Sequence, residues 1–345
     1  MKFNTKCVHG SGKPDSTGAI SPAIYMSSTF THPGLGETTG FQYTRESNPT
    51  RDRLETLIAG LEEGTDAIAF SSGMAAVDAV FHLFSPGDHV ILGDDLYGGS
   101  IRLFTNIYEK NGVEFTYVGT SDLDAVQAAF KPNTKAVYIE TPTNPMMEIT
   151  DVRALSKMAH DRNALVIVDN TFLSPYFQKP LHLGADIVVH SGTKFIGGHH
   201  DVISGFTIVK DDELAAQLRL IYKTVGACLS AFDSWLVIRG IKTLALRMEQ
   251  HQKNAIALAE WLKQEPKVTK VLFPGLPEHP GYEVNKSQTT GFGGMLSFEV
   301  DSEETAKQVL EGIQLIQFAE SLGGTESLLT YPVTQTHPDL KPEDA

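Results

Sequence analysis

The chain has 345 residues, 41% of them hydrophobic and 20% charged, with a mean hydropathy of −0.12. That length and balance suit a large domain with a sizeable core plus a smaller one. Its 28 Lys+Arg against 42 Asp+Glu leave a formal charge of −14, which disfavours non-specific binding to nucleic acid or an anionic membrane. Cys7 and Cys228 give neither a disulfide framework nor metal-ligand spacing, and they fit a reducing compartment. The opening residues lack the apolar core of a signal peptide. No apolar run reaches the ~18–20 residues of a membrane helix. A soluble, cytoplasmic protein is expected.

Residues 1–50 are rich in Gly, Pro, Ser and Thr and carry no clear period. Structureless stretches of that length are rare inside compact domains, so an arm ordered against a neighbouring subunit is expected. From residue 51 helical patterns alternate with short apolar runs, and 51–238 reads as a large ligand-binding domain. The runs AVYIE (136–140), LVIVD (165–169) and DIVVH (186–190) read as strands buried on both faces. A helix-like stretch, 152–160, separates the first two, which implies a mostly parallel sheet. Ligands gather beyond the carboxyl ends of such strands, so Thr141, Asn144, Asp169, Thr171 and Ser191 share one rim. A long helix over 241–262, with Arg247, Glu249, His251 and Lys253 on solvated faces, opens a smaller α/β domain, 239–345. That domain carries strands near 268–273 and 294–300. Phe232 and Trp235 read as core at helical spacing, His82 as a satisfied core histidine and His251 as a solvated one.

Four features on the rim carry chemistry. FSSGMAA (70–76) reads as a strand end followed by a helix start, where backbone N–H groups bind phosphate without cationic side chains. Asp169 ends a buried strand, where an acid is costly without a positive partner. Such an Asp also caps helices, but a protonated pyridine nitrogen would suit it. SGTK (191–194) follows the next strand. Lys194 there sits among the hydroxyls of Ser191 and Thr193, and burial lowers a lysine pKa toward nucleophilic use. Gly197 and Gly198 then let the backbone turn close to a ligand. Tyr97, in DDLYGGS (94–100), either packs a loop or stacks on an aromatic ligand, where it could also act catalytically in proton transfer. In this order, the four point together to pyridoxal 5′-phosphate (PLP). A zinc site on His190, His199, His200 and Asp201 competes weakly, because adjacent His199 and His200 need not converge on one ion. A cofactor-free aldolase using Lys194 leaves Asp169 and the hydroxyls unexplained.

The same text resembles the Cys/Met-metabolism family of PLP enzymes. The matching segments are GFQYTRESNPTR (40–51), SSGMAA (71–76), LYGG (96–99), ETPTNP (140–145), VDNTF (168–172), HSGTK (190–194), RGIKT (239–243) and AESLGG (319–324). The resemblance implies PLP fold type I, aspartate-aminotransferase-like, with a seven-stranded-type sheet. It implies that Lys194 carries the cofactor as a Schiff base and shuttles protons, that Asp169 pairs with the pyridine nitrogen, and that Asn144 bonds the ring oxygen. Gly73, Met74, Ser191 and Thr193 would hold the phosphate and Tyr97 would stack on the ring. Tyr43 and Arg45 would reach the phosphate of a neighbouring subunit, in a homo-oligomer of paired dimers with shared sites. Ser321, Glu320 and Arg102 would meet amino-acid substrates. Glu320, Arg102 and the run 326–337 resemble γ-synthases, which implies γ-replacement on an O-acyl-homoserine by cysteine, with a cystathionine lyase as the alternative. Family members continue beyond this chain's last residues into a segment with a carboxylate-gripping arginine. On that reading the chain looks truncated, and a PLP-binding but inactive scaffold is a third expectation.

Overall fold

The computed structural model describes residues 1–335; Thr336, His337, Asp344 and Ala345, used in the sequence reading, lie outside the described residues. The N-terminal segment begins with a helix, α1 (Phe3–His9), which buries Cys7 against α2 (Pro49–Glu62). Residues 1–50 are therefore not irregular throughout. α2 starts where it does because Asn48 accepts the Thr50 N–H at 2.9 Å and Pro49 stands in the first turn, where no N–H is needed. Leu54, Leu57, Ile58 and Leu61 recur at helical spacing and are all buried.

Seven strands form the central sheet: β1 (Asp66–Phe70), β2 (His89–Gly93), β3 (Glu114–Val118), β4 (Thr134–Glu140), β5 (Leu165–Asp169), β6 (Ile187–Ser191) and β7 (Gly205–Val209). Their order is β1-β7-β6-β5-β4-β2-β3. β7 runs antiparallel to both its neighbours, and every other pair is parallel. The reason lies in the connections. Helices α3 (Gly73–Phe81), α4 (Gly98–Leu103), α5 (Leu123–Ala129), α6 (Val152–His160), α7 (Ser174–Phe177) and α8 (Pro180–Leu183) supply crossovers, whereas β6 reaches β7 through a loop without a helix. Side chains alternate strictly between two cores. Val137, Ile139, Val166 and Val168 face one layer, while Ala136, Tyr138, Ile167 and Val189 face the other. Each fully buried aliphatic contributes about 1.5–3 kcal/mol, which holds the strand ends at a fixed rim.

After β7 come α9 (Asp212–Val225), α10 (Ala231–Ile241) and α11 (Leu244–Leu262). A small antiparallel pair, β8 (Val268–Leu272) and β9 (Ser297–Val300), follows with α12 (Tyr282–Gln288) and α13 (Glu303–Gly312). Two short parallel strands, β10 (Gln317–Phe318) and β11 (Leu328–Leu329), close the described chain.

Several sequence expectations are corrected here. The helix expected over 241–262 starts instead at Leu244 as α11, with Lys242 and Thr243 separating it from α10. Just past the break, Arg247 is buried rather than solvated. Its guanidinium donates to the carbonyls of Gly240 at 3.0 Å and Phe195 at 2.7 Å. His251 is half-buried, edge-on to Phe195 at 5.3 Å; burial and Arg247 push its pKa down to about 4. His82 is exposed at the end of α3, where its ring meets the Tyr108 hydroxyl at 2.8 Å. Phe232 lies on the outer face of α10, half exposed, and Trp235 turns its Nε1–H to the Pro22 carbonyl at 3.1 Å.

Candidate active site

The carboxyl ends of β4, β5 and β6 open onto one cavity of about 1370 Å³, which also takes in the N-termini of α3 and α4. Ser72 caps α3 by accepting the Ala75 N–H at 3.0 Å, and Gly73 and Met74 at the same end line the cavity. This end sits unusually close to the sheet. A Cβ at Gly73 would lie 2.9 Å from the Ser191 Cβ, and one at Gly205 would lie 2.1 Å from the Ser72 carbonyl oxygen. Two glycines therefore bring the amide-rich helix end against the hydroxyls of β6.

Ser191 ends β6 and donates its N–H to the Thr171 hydroxyl at 2.8 Å. The Thr193 hydroxyl accepts the Ser204 N–H at 3.1 Å. Lys194 follows, half-buried, and its Nζ donates to Ser321 Oγ at 3.2 Å. Burial pushes the lysine pKa down, opposed by the charge of Glu320. Ser321 holds a backbone φ of 119°, a strained conformation for a residue with a Cβ. The Ser321 segment is fixed over Lys194 by close packing, since a Cβ at Gly323 would lie 2.5 Å from the Phe195 nitrogen.

Asp169 ends β5. Its Oδ1 accepts from the N–H and hydroxyl of Thr171 at 3.0 and 2.5 Å, and its Oδ2 faces the Tyr138 hydroxyl at 3.4 Å. Burial raises its pKa, and the Thr171 bonds work the other way. Its register partner on β4 is Glu140, a second carboxyl on the same cavity and itself buried. Glu140 Oε2 accepts the Tyr97 N–H at 3.1 Å, and burial with the Asp169 charge drives its pKa well up. Tyr97 caps α4 with a half-exposed ring. Gly99 makes room for that ring, because a Cβ there would meet Tyr97 Cε1 at 2.4 Å.

The structure thus brings Lys194, Asp169, Asn144, Tyr97, Gly73, Met74, Ser191, Thr193 and Ser321 to one cavity. Glu320 lies at an adjoining opening with His200, Ser321 and Glu326. Arg102 is exposed on α4 and does not line the cavity. Tyr43 and Arg45 do not line it either; Arg45 lies over the Tyr43 ring at 5.5 Å and donates to the Lys223 carbonyl. His190, grouped with His199, His200 and Asp201 in the zinc reading, turns instead to Glu62 in the core, at 2.5 Å. The sequence reading missed Glu140, Gly205 and Arg247. Glu140 carried the same signal as Asp169, an acid closing an apolar run.

The donor set fits PLP. A helix N-terminus with adjacent hydroxyls suits a phosphate, and a half-buried lysine suits an aldehyde. The described contacts of the Asp169 carboxylate are with neutral donors, which leaves it suited to a cationic ring nitrogen. Fold and rim define a PLP-dependent enzyme of fold type I. A family model described as Cys/Met metabolism PLP-dependent enzyme matches residues 4–345. A cystathionine beta-lyase of Lactococcus lactis subsp. cremoris is 48% identical over 342 residues, 99% of this chain and 90% of the relative. A cystathionine gamma-synthase of Haemophilus influenzae is 50% identical over 332 residues, 96% and 86% of the two chains. The crystal structure of cystathionine gamma-lyase from Lactobacillus plantarum, complexed with L-serine, superposes with a TM-score of 0.97 at 46% identity, covering 100% of this chain and 90% of that one. The chain belongs to the Cys/Met metabolism PLP-dependent enzyme family.

Proposed function

We propose that the chain is a trans-sulfuration enzyme that works on the side chains of sulfur-linked and O-acylated amino acids, with γ-replacement on an O-acyl-homoserine by cysteine as its main reaction. The observation that carries this reading is the contact of Lys194 Nζ with Ser321 Oγ at 3.2 Å, in the cavity that Asp169 faces. When bound, PLP would take up the substrate amino group and draw electrons from the substrate carbons. Lys194 would hold the cofactor and afterwards move protons at Nζ, helped by the lowered pKa that burial gives it. Ser321 would keep Nζ aimed into the cavity. Asp169, which accepts from the N–H and hydroxyl of Thr171, would face the ring nitrogen. Tyr97 would cover the ring, Asn144 would bond its oxygen, and Gly73, Met74, Ser191 and Thr193 would hold the phosphate. Glu320 at the adjoining opening would address the far end of the substrate; Arg102, exposed on α4 outside the cavity lining, is the weaker candidate for that role.

Relatives of similar identity carry both synthase and lyase names, which supports C–S elimination from cystathionine as the second reading. Incubation with O-acetyl-homoserine plus cysteine, and separately with cystathionine, tests the choice. Cystathionine formation faster than its breakdown supports the synthase; the reverse supports the lyase. We also propose that residues 1–50 form an arm lying on a second subunit and offering it Tyr43 and Arg45, in a cytoplasmic dimer of dimers. Residues 51–238 would form the cofactor domain, and the chain from 239 the smaller one. Ile20, Met26 and Leu35 stand 87%, 72% and 107% exposed along that arm, as expected of a segment meant to be covered. Among the described residues no helix is long and apolar enough to cross a membrane.

A further inference from the structure

Glu140 and Asp169 are register partners on adjacent parallel strands, so their side chains leave the sheet on the same face. Glu140 is buried, Asp169 is half-buried, and both open onto the cavity. Two carboxylates so placed cannot both ionise cheaply; one keeps a proton. The donors decide which. Asp169 has the Thr171 N–H, the Thr171 hydroxyl and the Tyr138 hydroxyl around it. Glu140 has the Tyr97 N–H. A carboxylate with more donors holds its charge better.

We propose that Glu140 is a positioning residue acting as a neutral carboxylic acid: it fixes the Tyr97 turn through the main chain and leaves Asp169 as the single anion of the pair. The inference rests on the PLP reading of the cavity, but its proton balance belongs to the chain alone. Around Glu140 stand Asp169 from β5, Tyr138 from its own strand, and Asp95 with Tyr97 from the turn before α4; Lys194 opens onto the same cavity. The acids among them disfavour a second negative charge. Burial acts in the same direction.

The sign of the linkage follows. An unfolded glutamate loses its proton near ~4.3, whereas folded Glu140 keeps it. Folding therefore binds a proton above that pH, and stability contributed at this site falls as pH rises. Glu140→Gln removes the proton uptake while keeping shape and an acceptor for the Tyr97 N–H. The test is thermal unfolding of the full chain, wild type against Glu140→Gln, from about pH 5 to about pH 8. The melting temperature of the variant should gain on wild type by a few degrees across that range, about the size expected for one linked proton. Added PLP gives the second readout: Glu140→Ala should weaken cofactor binding by about tenfold, the cost of one buried donor left unmet, and Glu140→Gln should restore most of it. A Glu140→Gln variant whose melting temperature keeps a constant offset from wild type across that range would mean a Glu140 ionised in the folded chain as in the unfolded one, and would overturn the proposal. So would a gain seen in Asp169→Asn instead, since the proton would then sit on Asp169. Should Glu140→Ala fail to fold, the Gln series decides alone. Wild type that binds no PLP refutes the cofactor reading and leaves the proton balance standing.

Discussion

Gly205 is the position where the fold and the cofactor site constrain each other most tightly. It opens β7, the single antiparallel strand of the large sheet, and packs under the start of α3. An alanine Cβ there would lie 2.1 Å from the Ser72 carbonyl oxygen, 2.5 Å from its carbon and 2.7 Å from Gly73 Cα. Non-bonded carbons rest at about 3.5–4.0 Å, so β7 and the α3 start would separate by more than about 1 Å. The obstacle is backbone on both sides, so no side chain can swing away. Overpacking of this kind costs about 1–3 kcal/mol, and a displacement of ~1 Å in a binding constellation costs up to about 100-fold. Gly205→Ala should therefore lower the melting temperature by several degrees and raise the PLP dissociation constant at least about tenfold. Titration of the cofactor-stripped chain by absorbance, beside a melting curve, reads both. A Gly205→Ala protein with wild-type affinity and melting would refute the account of how the α3 terminus is seated.

Other consequences can be checked separately. Gly60 lies in α2, where an added Cβ meets nothing within 4 Å; Gly60→Ala should stabilise by about 0.5–1 kcal/mol in denaturant unfolding. The Cys7 thiol, 2% exposed, has its pKa pushed up to about 11 by burial, so a thiol reagent should label half-buried Cys228 first and reach Cys7 only on unfolding. Uptake of PLP by the stripped chain should quicken with pH as Lys194 loses its proton, and level off below the ~10.4 of an unperturbed lysine, because burial lowers that pKa; stopped-flow absorbance measures it. Asp169→Asn should keep the fold and weaken PLP binding about tenfold or more, since the ring nitrogen would lose its counter-charge; an unchanged affinity would remove Asp169 from the site.

Strand ends were the legible part of this protein. Apolar runs too short for helices, each closed by a polar residue, place Asp169 and Ser191 at one rim, with Lys194 just beyond, from the sequence alone. Glu140 closes its run in the same way, yet its role depends on lying in register with Asp169, and register is not written along one strand. Gly205 was invisible for a related reason: its close approach to Ser72 joins segments far apart in the chain. Arg247 and His251 were misread because helical spacing identifies a face but not what that face meets. Arg247 turns to the Gly240 carbonyl, which also takes the Thr243 N–H and hydroxyl at the turn between α10 and α11. Conversely, Phe232 and Trp235 share a spacing that suits a core helix, while Phe232 lies half exposed and Trp235 reaches the N-terminal arm. Tertiary context decided each of these.

The most direct test of the central claim is an absorbance titration of the purified chain and of Lys194→Ala with PLP. Wild type should bind in about one-to-one ratio with a protein-bound absorbance distinct from free PLP, and shift on addition of an amino-acid substrate. Lys194→Ala should lose that bound absorbance. A Lys194→Ala protein with the wild-type cofactor spectrum would contradict the assignment of Lys194, and with it the reading of the rim.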